Sequence, residues 1–305
     1  MRHRRLGKAG PISSCIGLGA AALTGSRGRI DPAASMAIVY HAISSGITMF
    51  DVSDLGAGSE LEPLIGRALS EQRAEMLLAT CQWAGSRRAD GSGRLRRSCD
   101  DTLARFGVDY IDIYYLRVQP WARIENSVAE LAELVSEGKI RYIGLVDGEP
   151  GQVRLAHAVH PVTVLATEYS LWRQAAEKEH LPVARELGIG IVARSPLGRG
   201  LLGGGLPPPN PLDPHDPRRM DPGLSPSVVP DAGRMLREAE AIAADLDIGI
   251  SRLALAWLLS RNDDVVPVPS AHDPVQLEMN IASTGVELSQ ETCDRLAEVF
   301  SPGVA

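Results

Sequence analysis

Short apolar runs and amphipathic stretches alternate along most of the chain. The runs near Ile16–Gly19, Thr48–Val52, Met76–Thr80, Ile111–Leu116, Ile140–Leu145, Thr163–Thr167, Gly190–Ala193 and Val265–Val268 end in small or polar residues and read as strands. Helical patterning falls between them, over Ala33–Ser45, Leu61–Ser70, Arg94–Phe106, Ile124–Glu137, Gln152–Val159 and Pro182–Leu187. Gly46 follows the first of these, and Gly107, Gly138 and Gly188 stand at or near three other helix ends. Eight strand–helix units in this order predict a (β/α)8 TIM barrel, an α/β fold with residues 1–305 as one domain. The rival, a doubly wound open sheet, would place Gly-x-Gly-x-x-Gly after its first strand, and Gly17-Leu18-Gly19-Ala20-Ala21-Ala22 carries only part of that.

One segment breaks the alternation. Pro196 to Pro230 is rich in Pro, Gly and Asp and leaves the seventh strand on the face where barrel active sites lie, so it is either a lid or an unstructured segment. Helices at Asp231–Asp247 and Arg252–Ser260 follow, and a final one at Ser289–Phe300 is expected outside the barrel.

Composition narrows the functional classes. The chain has 31 basic and 38 acidic side chains, a formal charge of −7, and only 4% aromatic residues. A net acidic chain with few stacking rings argues against nucleic acid as a partner. No apolar run reaches the roughly 18 residues of a membrane span. The basic start Met1-Arg2-His3-Arg4-Arg5 is followed by Leu6-Gly7-Lys8, not by an apolar signal core. Cys15, Cys81, Cys99 and Cys293 are far apart and show no metal-binding spacing, which points to reduced thiols and a cytoplasmic protein.

Several segments carry a family likeness: Arg5-Leu6-Gly7, Ile16-Gly17-Leu18-Gly19, Gly46-Ile47-Thr48-Met49-Phe50-Asp51, Asp109-Tyr110-Ile111-Asp112-Ile113-Tyr114-Tyr115-Leu116, Gly138-Lys139-Ile140-Arg141-Tyr142-Ile143-Gly144, Glu168-Tyr169-Ser170-Leu171-Trp172 and Ser195-Pro196-Leu197-Gly198-Arg199-Gly200. Over nearly its whole length the chain resembles the aldo-keto reductases. The resemblance implies a barrel, and carbonyl reduction by NADPH through an Asp, Tyr, Lys, His tetrad in which the Tyr protonates the carbonyl oxygen. A cation beside a phenol lowers its pKa for that task.

Most of the tetrad is missing. Asp51 matches the family Asp. The spacing from Asp51 to Gly66 matches without a gap, and it places Gly56 where the Tyr belongs. Cys81 follows Ala79-Thr80 in place of the Lys, and Arg117 follows Tyr114-Tyr115-Leu116 in place of the His. Cofactor positions have changed too. Val146 and Asp147 replace a polar pair, Ala166 replaces a Gln, and Arg194 replaces the Tyr that stacks under the nicotinamide. Pro269 is followed by Ser270-Ala271-His272-Asp273 and then Gln276, where the family has cations. Asn280 matches cleanly, and Ser195 and Leu197 are the other residual cofactor positions. An Asp at 147 and the lost cations disfavour a dinucleotide phosphate.

The replacements are chemically active types. Asp51, Cys81, Arg117, Glu168 and Arg194 are expected at strand ends around the mouth, with Asp54 close by. Arg117 and Arg194 suit a carboxylate, enolate or phosphate, unless Arg117 merely neutralises Asp51. Asp51, Asp54 and Glu168 are candidate acid–base groups. Cys81 is either an inert packing thiol or one whose pKa a nearby Arg lowers. Trp83, Trp121, Trp172 and Tyr169 are candidate pocket walls. His215 and His272 are expected in solvent, and no metal site is read.

Three functions fit. The first is a repurposed barrel doing non-redox, cofactor-independent chemistry (cyclisation, dehydration or isomerisation) on a small carbonyl or carboxylate. The second is an NAD(P)H-dependent oxidoreductase, using NADPH or NADP, with relocated catalytic groups. The third is a non-catalytic binding or regulatory subunit.

Overall fold

The computed structural model of the protein describes residues 1–23, 31–83, 93–119, 123–204 and 229–300. Two short strands, β1 (His3–Arg5) and β2 (Ile12–Ser14), pair as an antiparallel hairpin. The remaining eight form one parallel sheet in chain order: β3 (Leu18–Gly19), β4 (Met49–Asp51), β5 (Leu77–Trp83), β6 (Ile111–Arg117), β7 (Ile140–Val146), β8 (Val162–Glu168), β9 (Gly190–Arg194) and β10 (Val265–Pro267). Backbone hydrogen bonds tie the two edges together. Gly17 N–H donates to the Pro267 carbonyl at 2.9 Å and Gly19 N–H to that of Pro269 at 3.0 Å. A Cβ on Gly19 would lie 2.7 Å from the Val268 carbonyl oxygen, so this closure needs a residue without a side chain. The sheet is therefore a barrel, and closure leaves no free strand edge.

Eleven helices lie among the described residues: α1 (Pro32–Ser44), α2 (Leu61–Ser70), α3 (Arg94–Phe106), α4 (Ile124–Ser136), α5 (Pro150–Val159), α6 (Ala176–Glu179), α7 (Leu181–Leu187), α8 (Val229–Asp245), α9 (Ile250–Arg261), α10 (Pro274–Ala282) and α11 (Gln290–Val299). The apolar periods locate nine of them to within a few residues. α6, a single turn, and α10 were not anticipated. α10 starts where Asp273 caps the Gln276 N–H at 2.7 Å and Pro274 opens the first turn, a start signal present in the sequence.

The hairpin was also not anticipated, because three-residue strands are too short to show a period. It closes the N-terminal end of the barrel. Leu6 is fully buried among the interior side chains, and Arg4 donates to the carbonyls of Leu259, Asn262 and Val265 at 2.6–2.8 Å.

Two apolar layers follow from the strand period of two. Inside the barrel lie Met49, Ala79, Ile113, Tyr115, Val146, Val164, Ala166, Val192 and Val266. Between barrel and helices lies a larger layer that includes Tyr114, Tyr169, Trp257 and Cys293 and Leu296 of α11. Counting upward by two from the interior residues puts Asp51, Cys81, Arg117, Glu168 and Arg194 on the inner face at the C-terminal strand ends. Of the Pro/Gly-rich segment, the turns through Gly204 and the start of α8 are described. The expectation of a lid or unstructured segment, and His215 with it, falls on residues outside the described ones. No helix of the described residues is long and apolar enough to cross a membrane.

Candidate functional site

Asp51 is the deepest charged group at the mouth and is 3% exposed. Its Oδ1 accepts hydrogen bonds from the Ser53 backbone N–H at 3.0 Å and the Ser53 hydroxyl at 2.5 Å. Its Oδ2 is buried and has no partner among the described residues. Burial pushes this carboxyl above the usual carboxylate range, with Arg194 and Ser53 pulling the other way.

Three arginine–carboxylate clusters surround it. Arg194 donates to Asp54 at 2.8 Å, Arg117 to Asp147 at 3.0 Å, and Arg199 to both oxygens of Glu168 at 3.1 and 2.7 Å, with Arg173 3.5 Å from the same carboxylate. The alternative in which Arg117 neutralises Asp51 is thus corrected: the carboxylate it meets is Asp147. Arg117 is in register with Val146 on β7, so Asp147, the next residue, is its neighbour. Asp147, Ser195 and Arg199 hold left-handed φ angles of 56°, 49° and 55°. Such angles are costly for residues with a Cβ and concentrate where a site over-determines the backbone. Here each adjoins one of these clusters.

Cys81 ends its inward row beneath Arg117 and Arg194. Burial outweighs both cations and pushes the thiol up to about 11. Of the two readings of Cys81, this direction favours the inert packing thiol over one activated by a nearby Arg.

The expected aromatic walls divide. The Tyr169 side chain is fully buried in the outer layer, where its hydroxyl donates to Glu177 at 2.7 Å and its ring meets Trp257 edge-on at 5.7 Å. It packs away from the mouth, which corrects the pocket-wall reading, because residue 169 has one neighbour on each side of the chain and Glu168 takes the inward direction. Trp172 packs edge-on against Phe300 at 6.0 Å, beside the outer layer. Trp83 ends β5 at the mouth in register with Arg117. Trp121 lies outside the described residues. Glu168 is at the mouth but fully engaged by arginines. Asp54 is 42% exposed at its side chain. His272 is half-buried rather than in open solvent, with its backbone N–H donating to Gln276.

Among the described residues, the positions where the resemblance expects the cofactor's phosphate and ring contacts do not carry the groups that usually make them. A Cβ built on Gly56 meets nothing within 4 Å, so the position has room for a side chain that it does not carry. The stacking position is the Arg194–Asp54 pair. The N-terminus of α10 is capped by its own Asp273 carboxylate, and residues 269–282 contain no Lys or Arg. A phosphate there would meet a like charge. Of the residual positions, Asn280 is 2% exposed, donates from Nδ2 to the Ser270 carbonyl at 3.2 Å, and keeps an unpartnered Oδ1. Ser195 and Leu197 lie in the turn after β9, Leu197 packed against the outer layer. Among the described residues no group of three or more His, Cys, Asp or Glu side chains could hold a metal ion.

Two mouth features were within reach of the sequence. Asp147 stands one residue past β7, next to the strand that ends in Arg117. Tyr115 stands two residues before Arg117 and so shares its inward face.

A closed eight-stranded barrel with charged strand ends defines the class. The profile of the aldo/keto reductase family matches residues 15–300, and the chain belongs to that family. It is 38% identical to a probable aldo-keto reductase 1 of Glycine max over an alignment of 311 residues, covering 97% of this chain and 87% of the relative. A thermostable aldo-keto reductase solved with the inhibitor epalrestat superposes with a TM-score of 0.79 at 26% identity, over 98% of this chain and 100% of that one. A glycerol dehydrogenase from Gluconobacter oxydans superposes with a TM-score of 0.86 at 24% identity, over 99% and 96% of the two chains, which is a likeness of fold.

Proposed function

We propose that this aldo-keto reductase-family barrel binds a small carbonyl or carboxylate compound at its mouth and moves a proton on it without a nicotinamide. Asp51 is the base. Its unpartnered Oδ2 takes a proton from the carbon beside the carbonyl and the C–H electron pair moves toward the carbonyl oxygen; return of that proton to a second carbon of the enolate completes an isomerisation, and its delivery to a β-hydroxyl as the C–O bond breaks and water leaves completes a dehydration. Arg194 and Arg117, each balanced by one carboxylate, hold the oxygen on which charge develops. Cys81, as a neutral thiol, lines the floor.

The observation that supports this reading is the buried Asp51 Oδ2, which has no hydrogen-bond partner among the described residues. It is a proton acceptor at the mouth, and the spacing from Asp51 to Gly66 puts Gly56 where the resemblance expects the phenolic donor. The test is proton exchange in D2O, followed by NMR, with a panel of small ketones and keto acids and no added cofactor. Protein-dependent exchange at the α-carbon, lost by about a hundredfold or more in Asp51→Asn, is the expected result. Carbonyl-dependent oxidation of NADPH with no exchange overturns it.

Kinship favours the second reading, an NAD(P)H-dependent oxidoreductase. The family, the named reductase at 38% identity and the reductase structure all point to that chemistry more than to proton transfer. On that reading NADP(H) reaches the mouth through contacts other than the family's own, with Asn280 as the retained one.

A further inference from the structure

The ring of helices closes where α1 and α10 lie side by side. His41 of α1 places its Nε2 2.5 Å from Oε1 of Glu278 on α10 and ties the two helices together. On the barrel side both are buried, through Ile38 and Val39 of α1 and Leu277 of α10. Their outer faces are unusual. α1, alone among the eleven helices, carries no Asp, Glu, Lys or Arg, and Glu278 is the one such residue of α10. The outward positions, at helical spacing, are Ala33, Ala37 and Tyr40 on α1 and Val275, Met279 and Ala282 on α10. Tyr40 is 54% exposed, Val275 70% and Met279 39%.

The outer face of a surface helix is normally polar and charged. The neighbours α3 and α4 follow that rule, with Arg96 and Glu133 paired between them at 2.9 Å. The joint face of α1 and α10 does not. A tyrosine and a methionine in an uncharged surround are what the centre of a protein–protein contact carries.

Two features identify the occupant as a second copy of this chain. The first is shape. α1 presents small side chains at Ala33 and Ala37, and α10 presents the projecting Val275 and Met279. A two-fold axis sets α10 of each copy against α1 of the other, so each projection meets a low surface, which is the self-complementarity that a symmetric contact requires. The second is charge. A chain of formal charge −7 repels its own copy over most of its surface. This face holds a single carboxylate, already set against His41, and so meets itself with little like-charge repulsion. A strongly charged partner would find no complement here.

We propose that the protein is a two-fold dimer in which α10 of one copy packs across α1 of the other. Sedimentation velocity of the full-length protein at micromolar concentration tests this, and the wild type is expected to sediment at twice the chain mass. Ala37→Glu and Val275→Lys, one on each helix, should each weaken association by about a hundredfold or more, because each buries a charge without a partner. Both side chains project into solvent in the single chain, so neither substitution disturbs the fold. Mixing the two variants should restore the dimer. In a mixed pair the two new charges are opposite and meet at one contact, and the other contact is unaltered. Leu155→Glu, at an exposed apolar position of α5, is the control and should leave the dimer intact. A monomer at every concentration up to roughly 100 μM overturns the proposal and leaves the face to a different protein. A dimer that survives both substitutions, or one broken equally by Leu155→Glu, overturns it too. Failure of the mixture to associate overturns the packing of α10 across α1.

Discussion

At the residue scale, Asp51 concentrates the chemistry because its burial and its partners oppose each other. Burial holds its proton, and Arg194 is the largest influence in the other direction. Arg194→Ala therefore makes Asp51 harder to ionise, and the rising limb of any pH–activity profile moves to higher pH. An unchanged limb would mean that Asp51 is not the titrating base. The same burial has a stability consequence. The folded state binds the Asp51 proton more tightly than the unfolded chain, whose carboxyl keeps the ordinary value of 3.8. Stability from this group is complete below that value and is lost as pH rises through the folded midpoint. Asp51→Asn should therefore melt higher than wild type at pH 7, with the two converging toward pH 3.5, as measured by thermal unfolding across pH. Cys81 makes an independent check. With its thiol pushed up to about 11, only about one molecule in a thousand is thiolate at pH 8. Peptide mapping after iodoacetamide treatment should find Cys81 little modified at pH 8; rapid modification there would contradict the assigned environment.

At the element scale, strand periodicity does most of the positioning. β4, β5, β6, β8 and β9 each deliver one inward side chain at the mouth. The sequence shows this because each strand is an apolar run ending in a charged residue or a thiol. What it hides are elements with too little period to register. β1 and β2 have three residues each, and α6 has one turn. Arg4 shows what the hairpin contributes. Its guanidinium satisfies the carbonyls of Leu259, near the end of α9, and of Asn262 and Val265 beyond it. Arg4→Ala leaves three carbonyls short of a donor at the barrel floor and should lower stability by about 2–4 kcal/mol in urea unfolding. Because Arg4 lies at the opposite end from the mouth, ligand affinity should stay as in wild type. A loss of affinity without loss of stability would contradict this separation.

At the scale of the whole molecule, family membership is shown, and the proposed proton transfer departs from the chemistry that kinship favours. The barrel, its order and its closure belong to the aldo/keto reductases. At the C-terminal mouth stand Asp51, Cys81 and Arg117, where the sequence resemblance leads one to expect the family's Asp, Lys and His. That Asp51, Cys81 and Arg117 end inward-facing rows at the mouth was legible in the sequence, because each closes an apolar strand pattern. Their pairing was not. Arg117 meets Asp147 rather than Asp51, a choice made by the register between β6 and β7 and invisible in one strand's sequence. Tyr169 shows the reverse case: one residue past the end of β8, it packs into the outer layer against Trp257 and donates to Glu177, away from the mouth. The central claim, that this mouth works without a nicotinamide, is tested most directly by titrating NADPH into the protein and following tryptophan fluorescence. The account predicts no saturable change up to about 1 mM, the upper end of ordinary substrate affinities. A saturable change at micromolar NADPH, accompanied by carbonyl-dependent loss of the reduced cofactor, would contradict it.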